Sequence, residues 1–123
     1  MKKDILNRKD IEKLVNLFYE KVKQDKIISH FFSDVVKVDW EQHLPIMYRF
    51  WENVLFYTGN YNGNPMQQHL AIHAKHPFSI KDFTQWTILF NETVDELFEG
   101  ENAELIKQRA QSISTVMQIK MFK

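Results

Sequence analysis

The stretch Pro65-Met-Gln-Gln-His69-Leu-Ala-Ile-His73-Ala-Lys-His76-Pro77 lies between two prolines and holds three of the chain's five histidines. Proline at the first helical position has its φ already set and lacks an N–H that would have no partner there, so Pro65 can open a helix. Pro77 biases His76 away from the α region and closes it again. That leaves about three turns, too few for an isolated helix to be stable in water without packing or a ligand. The rest of the chain reads as longer helices built to face this segment.

Upstream, Tyr57-Thr-Gly59-Asn-Tyr61-Asn-Gly63-Asn-Pro65 is a turn-rich loop that delivers the chain into it. Before the loop, Asp39-Trp-Glu-Gln42 has the form of a capping arrangement and predicts a helix over 40–56, with Leu44, Met47, Phe50, Trp51, Val54 and Leu55 in one stripe. Pro45 is out of place if that helix starts at Trp40: beyond the first turn it removes one backbone bond and clashes, at a cost of ~3 kcal/mol or more. Residues 40–43 then form a separate turn, or the helix is distorted beside His43, or Pro45 occupies the true first turn. Ile27-Ile-Ser-His30-Phe31-Phe32-Ser33 predicts a turn or two and then a corner. Nearest the start, Asp10 is the expected N-cap of a helix over 10–24 that lines up Ile11, Leu14, Val15, Phe18, Tyr19 and Val22. Tyr19 lies on that apolar face, which carries its hydroxyl inward, where a phenol needs a partner.

Downstream, Ser79 with Asp82 three residues on predicts a capped helix over 79–98, ended by Gly100 as C-cap. Asn102 is the expected cap of a last helix over 102–121, carrying Leu105, Ile106, Ala110, Ile113, Val116 and Met117. No strand pattern competes, so the fold class is all-α, and residues 1–123 are expected to form a single domain. A bundle joins its helices by short loops, and the excursion over 57–78 departs from that plan.

Sixteen basic and sixteen acidic residues cancel, so no global field attracts nucleic acid or an anionic membrane. The absence of cysteine excludes disulfides, thiolate zinc sites, iron–sulfur clusters and covalent c-type haem attachment, and suits a reducing cytosol. No run approaches the ~20 apolar residues of a membrane span, and Met1-Lys-Lys-Asp does not read as a signal peptide, so a cytoplasmic location is expected. Ten Phe, four Tyr and three Trp are enough to fill a core and also to line a flat cavity.

Three ligand sets compete for the histidines. His69 and His73 are spaced i, i+4 as in paired zinc ligands, with His76 a possible third, but Leu70 follows His69 where a zinc protease has its glutamate. A phosphate site lacks its glycine-rich cradle, and no serine sits in a nucleophile elbow. Haem iron is the remaining set: it needs one neutral imidazole, a flat apolar slot, and polar groups opposite that choose the ligand. His69 could supply the imidazole. Phe31, Phe32, Met47, Phe50, Trp51 and Phe83 could supply walls, and Tyr19, His43 and Trp86 could donate to a diatomic ligand that gains negative charge.

Four motifs then occur in order: Leu17-Phe-Tyr19-Glu-Lys-Val22, Trp40-Glu-Gln-His43-Leu-Pro45, Tyr61-Asn-Gly63-Asn-Pro65-Met-Gln-Gln-His69, and Phe83-Thr-Gln-Trp86-Thr-Ile-Leu-Phe90-Asn-Glu-Thr-Val94. Together they resemble a bacterial truncated haemoglobin of the third group, over nearly the whole chain. The resemblance implies a two-over-two truncated globin fold with a short proximal helix and a b-type haem pocket (iron protoporphyrin IX). It implies His69 as proximal iron ligand, Phe32 as the corner aromatic, and Tyr19, His43 and Trp86 as the distal trio, with Met47 beside the bound ligand. The glycine patterns that form tunnels in other truncated globins are missing, so ligands are expected to enter past His43. His73 and His76 are expected to be exposed or to face the haem propionates.

The partners implied are O₂, NO, CO and an unidentified reductase, for a protein expected to act as a monomer. Globins of this kind resemble redox or detoxification proteins, with nitric oxide dioxygenase or peroxidase-like activity. Reversible O₂ storage is the alternative, and a non-haem helical histidine–metal or interaction domain is the third reading.

Overall fold

Among the described residues five α-helices form, four where the apolar spacing places them and a short one between the prolines. The computed structural model describes residues 2–32, 39–59, 61 and 63–122. Its helices are α1 (Arg8–Gln24), α2 (Trp40–Phe56), α3 (Pro65–Lys75), α4 (Ile80–Leu97) and α5 (Glu101–Met121), and no strand occurs among the described residues. α1 packs on α2, α4 packs on α5, and the two pairs meet through α1 against α4 and α2 against α5. This is a two-over-two sandwich, with α3 outside it and touching only α5 to any extent. Between the layers lie Leu14, Val15, Phe18 and Val22 of α1, Trp51 and Leu55 of α2, Phe90 and Val94 of α4, and Ile106 and Ala110 of α5, all buried. Each large apolar side chain buried this way stabilises the fold by roughly 1.5–3 kcal/mol.

The helix ends differ from the sequence expectation in ways that local spacing could not show. α1 starts ahead of Asp10: Asn7 is the N-cap, and its side-chain carbonyl accepts the Asp10 N–H at 3.1 Å. Asp10 is instead the buried back-reaching partner, accepting the Leu6 N–H at 2.9 Å and pairing with Lys3 Nζ at 2.9 Å. A carboxylate in the first turn also suits the positive end of the helix dipole.

Asp39 does flank α2, but its side chain makes no capping bond. Its backbone carbonyl takes the Gln42 and His43 N–H groups, at 3.1 and 2.8 Å. Pro45 lies inside a continuous α2, so residues 40–43 are not a separate turn and Pro45 is not in the first one.

The Ser79–Asp82 capping box at the start of α4 forms as expected, with Asp82 N–H to Ser79 Oγ at 3.3 Å and Ser79 N–H to Asp82 Oδ2 at 2.8 Å. Gly100 is not the C-cap of α4, which ends on Phe98; it is the N-cap of α5, at φ 145°. Nor does Asn102 cap α5. The carboxylate of Asp4, from the far end of the chain, accepts the N–H groups of Asn102 at 2.9 Å and Ala103 at 2.8 Å. A Cβ at position 100 would stand 2.5 Å from Asp4 Cγ, so glycine is required both by its φ and by this close approach.

The turn after α1 is held by Asp25, whose Oδ2 accepts the N–H groups of Ile27 and Ile28 at 2.9 and 3.0 Å. Gln85 Nε2 donates to its other oxygen at 2.7 Å, tying this turn to α4. The corner expected from Ser33 onward, and residues 60 and 62 of the expected loop, lie outside the described residues.

Candidate functional site

Asn64 caps α3, its Oδ1 accepting the Gln67 N–H at 3.0 Å, and Pro65 occupies the first turn. None of the helix's residues is fully buried. His69 Nδ1 lies 2.6 Å from the Pro65 carbonyl. A carbonyl can only accept, so in the neutral ring Nδ1 carries the hydrogen and Nε2 keeps a free lone pair. His73 is set the other way. Its Nδ1 accepts the Phe78 backbone N–H at 2.9 Å, which puts the ring hydrogen on Nε2.

Of these two imidazoles on one helix, only His69 therefore offers Nε2 to a metal. His73 is half-buried rather than exposed, with its ring parallel to that of Phe78 at 6.0 Å and 7°. His76 is exposed, and its ring meets those of His30 at 5.4 Å and Phe31 at 5.2 Å. No group of three or more His, Asp or Glu able to hold a metal occurs among the described residues.

α1 and α2 supply the opposite side. Tyr19 is buried on α1, with its ring 5.4 Å from His43, 5.2 Å from Trp40 and 6.0 Å from Phe32. Burial pushes the Tyr19 phenol well above its ordinary value, so it stays a neutral O–H donor. His43 is half-buried, and its Nε2 is fully enclosed without a hydrogen-bond partner among the described residues. Burial first, and then the charge of His69, lower the pKa of His43. Both effects favour the neutral form of His43.

The expected wall residues divide between these two sides. Phe32 stacks on Trp40 at 5.9 Å and 25° and meets Tyr19. Phe31 packs on Phe78 at 4.5 Å, and Phe78 lies 6.2 Å from His69 and 5.6 Å from Phe83. Trp86 stacks on Trp51 at 6.4 Å and on Phe90 at 5.7 Å. It reaches the Tyr19 group through Phe18, which touches both rings. Trp51, 3% exposed, backs Trp86 from within the core. Phe50 is half-buried between Trp51 and Tyr61, and Met47 is half-buried at the edge of the core.

Two residues at the centre of this arrangement were not singled out from the sequence. Trp40 contacts Tyr19, Phe32 and His43, the last at 5.6 Å. Its position three residues before His43 on one helix face was a usable signal. Phe78 follows Pro77 in a connection with no periodicity, and nothing local marks it.

An all-α sandwich of two helix pairs, with a short outlying helix that carries an imidazole whose Nε2 is left free and an enclosed second imidazole on α2, defines a globin of the truncated kind. No protein-family model matches the chain. It is 33% identical over 126 residues to a group 3 truncated hemoglobin of Campylobacter jejuni, covering 100% of this chain and 97% of that protein. Its fold matches the crystal structure of a group III truncated hemoglobin from Campylobacter jejuni with a TM-score of 0.87 at 34% identity, over 100% of this chain and 97% of the other. The chain belongs to the group III truncated haemoglobins.

Proposed function

We propose that the chain is a single globin unit that binds haem b, with His69 as the axial ligand and Tyr19, His43 and Trp86 around the position where a diatomic ligand is held. The observation that carries this reading is the pairing of His69, whose Nδ1 is tied to the Pro65 carbonyl, with the enclosed and unpartnered Nε2 of His43. A buried polar atom left without a partner costs ~1–3 kcal/mol, and a ligand bonded to His43 Nε2 would remove that cost. A metal-binding histidine characteristically donates its other ring N–H to a carbonyl or carboxylate, which fixes ring orientation and raises basicity. The residues present therefore fit the group.

When bound, haem b supplies an iron that takes O₂, NO or CO and exchanges electrons. The chain's part is to hold, orient and polarise. The Pro65 carbonyl keeps the His69 ring in one tautomer. Neutral Tyr19 offers an O–H, and Trp86 an indole N–H, in a site that burial keeps low in dielectric, so each bond to a ligand with negative charge is stronger than in water. His43, favoured in its neutral form, can accept or donate at Nε2, and the reading has ligands enter past it. Strong donation slows ligand escape, which favours chemistry on O₂, NO or peroxide, with electrons from a reductase, over O₂ transport.

Absorption spectra of the purified, haem-reconstituted protein in its ferric, ferrous and carbon monoxide forms test the reading. An imidazole-ligated Soret band is expected, and its absence in all three sinks the haem assignment. Fast O₂ release that Tyr19→Phe and Trp86→Phe leave unchanged would instead favour a reversible carrier.

A further inference from the structure

We propose that His73 is a positioning residue for the imidazole of His69, acting through Phe78; this rests on the reading of His69 as the axial ligand. His73 lies one turn beyond His69 on α3, yet its Nδ1 accepts the Phe78 N–H at 2.9 Å. That bond closes the connection between α3 and α4 across Pro77. The same side chain stacks its ring on the Phe78 ring, at 6.0 Å and 7°. Backbone and side chain of Phe78 are thus both held by one histidine.

Phe78 is the ring that surrounds His69 on this side. It lies 6.2 Å from the His69 ring, 4.5 Å from Phe31 and 5.6 Å from Phe83. α3 buries none of its own residues fully, so its packing does little to fix the direction of His69. The Pro65 carbonyl sets the His69 ring from the N-terminal side of the helix, and the His73–Phe78 clasp sets it from the C-terminal side. Phe122 closes the back of the clasp, 5.8 Å from His73 and 5.9 Å from Phe83. No metal ligand is asked of His73, because a ring whose Nδ1 accepts an N–H carries its hydrogen on Nε2.

Two substitutions separate the clasp's parts. His73→Phe keeps an aromatic ring for Phe78 but has no acceptor, whereas His73→Asn keeps an acceptor oxygen close to the Nδ1 position but has no aromatic ring. In haem-loaded protein, His73→Phe is expected to speed haem transfer to an excess of apomyoglobin by about tenfold, the scale of lost outer-shell support for a metal ligand. It should also shift the iron–imidazole stretching band of the ferrous, ligand-free form, which mere loss of stability does not move. His73→Asn should restore both to near wild type. Wild-type values in His73→Phe, or failure of His73→Asn to restore them, overturn the proposal.

If a variant does not fold, amide hydrogen exchange in the wild-type apoprotein decides. The Phe78 N–H is expected to exchange more slowly than the Ile80 N–H, which opens α4 and has no intrahelical partner, and an unprotected Phe78 amide overturns the clasp. A wild type that binds no haem would defeat the reading of His69 while leaving this apoprotein measurement to judge the clasp.

Discussion

His69 and His73 share a helix, a residue type and a spacing, and differ only in what their Nδ1 atoms meet. The Pro65 carbonyl makes one a candidate ligand, and the Phe78 N–H makes the other a clasp. His69→Ala is accordingly expected to abolish tight haem binding, seen as loss of the Soret band on gel filtration; retention of an imidazole-ligated ferrous spectrum would move the ligand elsewhere. Across the pocket, Tyr19→Phe or Trp86→Phe should each speed O₂ dissociation by about tenfold, because a hydrogen bond to a charged group contributes ~1.5–3 kcal/mol. Stopped-flow release kinetics check this.

His43 adds a pH dependence. Its folded-state pKa is lowered by burial and then by His69, so the unfolded chain binds the proton more readily. Apoprotein stability should therefore fall as pH drops below the ordinary histidine value of about 6.5, and His43→Leu should flatten that part of the curve in urea titrations. A slope unchanged in His43→Leu would assign it to another group.

At the level of elements, α3 and the start of α5 are each secured from outside themselves. α3 is an eleven-residue helix with no fully buried residue, below the length at which isolated helices persist. Amide exchange over 65–75 is expected to be faster than over α4 in the apoprotein and to slow on haem addition, while the amides of α4 stay protected throughout. Equal protection of α3 and α4 in the apoprotein would show that packing alone holds it. At α5, Asp4 caps from 98 positions away, and Asp4→Ala should cost ~0.5–2 kcal/mol in urea unfolding at neutral pH. Burial tends to raise the Asp4 pKa, but the N–H groups of Asn102, Ile5 and Ala103 outweigh it and hold the carboxylate below its ordinary value. Its contribution is therefore complete above an ordinary pKa near 3.8 and is lost as pH falls through the lower folded value.

Across the whole molecule, aromatic rings link the two helix pairs. Trp51, Trp86 and Phe90 stack on one another, and Phe18 joins them to Tyr19, so the core and the candidate pocket share one set of contacts. Ion pairs such as Arg8–Glu52 at 3.2 Å and Lys21–Glu96 at 3.0 Å join helices at the surface, where such pairs contribute roughly 0–1 kcal/mol. The sequence by itself determined the four long helices and most of the inward face of each, because a period of 3.6 residues is written in the apolar positions; Val116 of the expected α5 stripe is 47% exposed. The Ser79–Asp82 box and the Pro65 start were also readable, since each depends on neighbours within a turn. Only the tertiary structure decided that Asp4 rather than Asn102 caps α5, that Trp40 and Phe78 join the candidate site, and that His43 ends with its Nε2 enclosed and unpartnered among the described residues. Those contacts join residues far apart in the chain, and the hydrogen on each imidazole is set by whether a carbonyl or an N–H happens to face it.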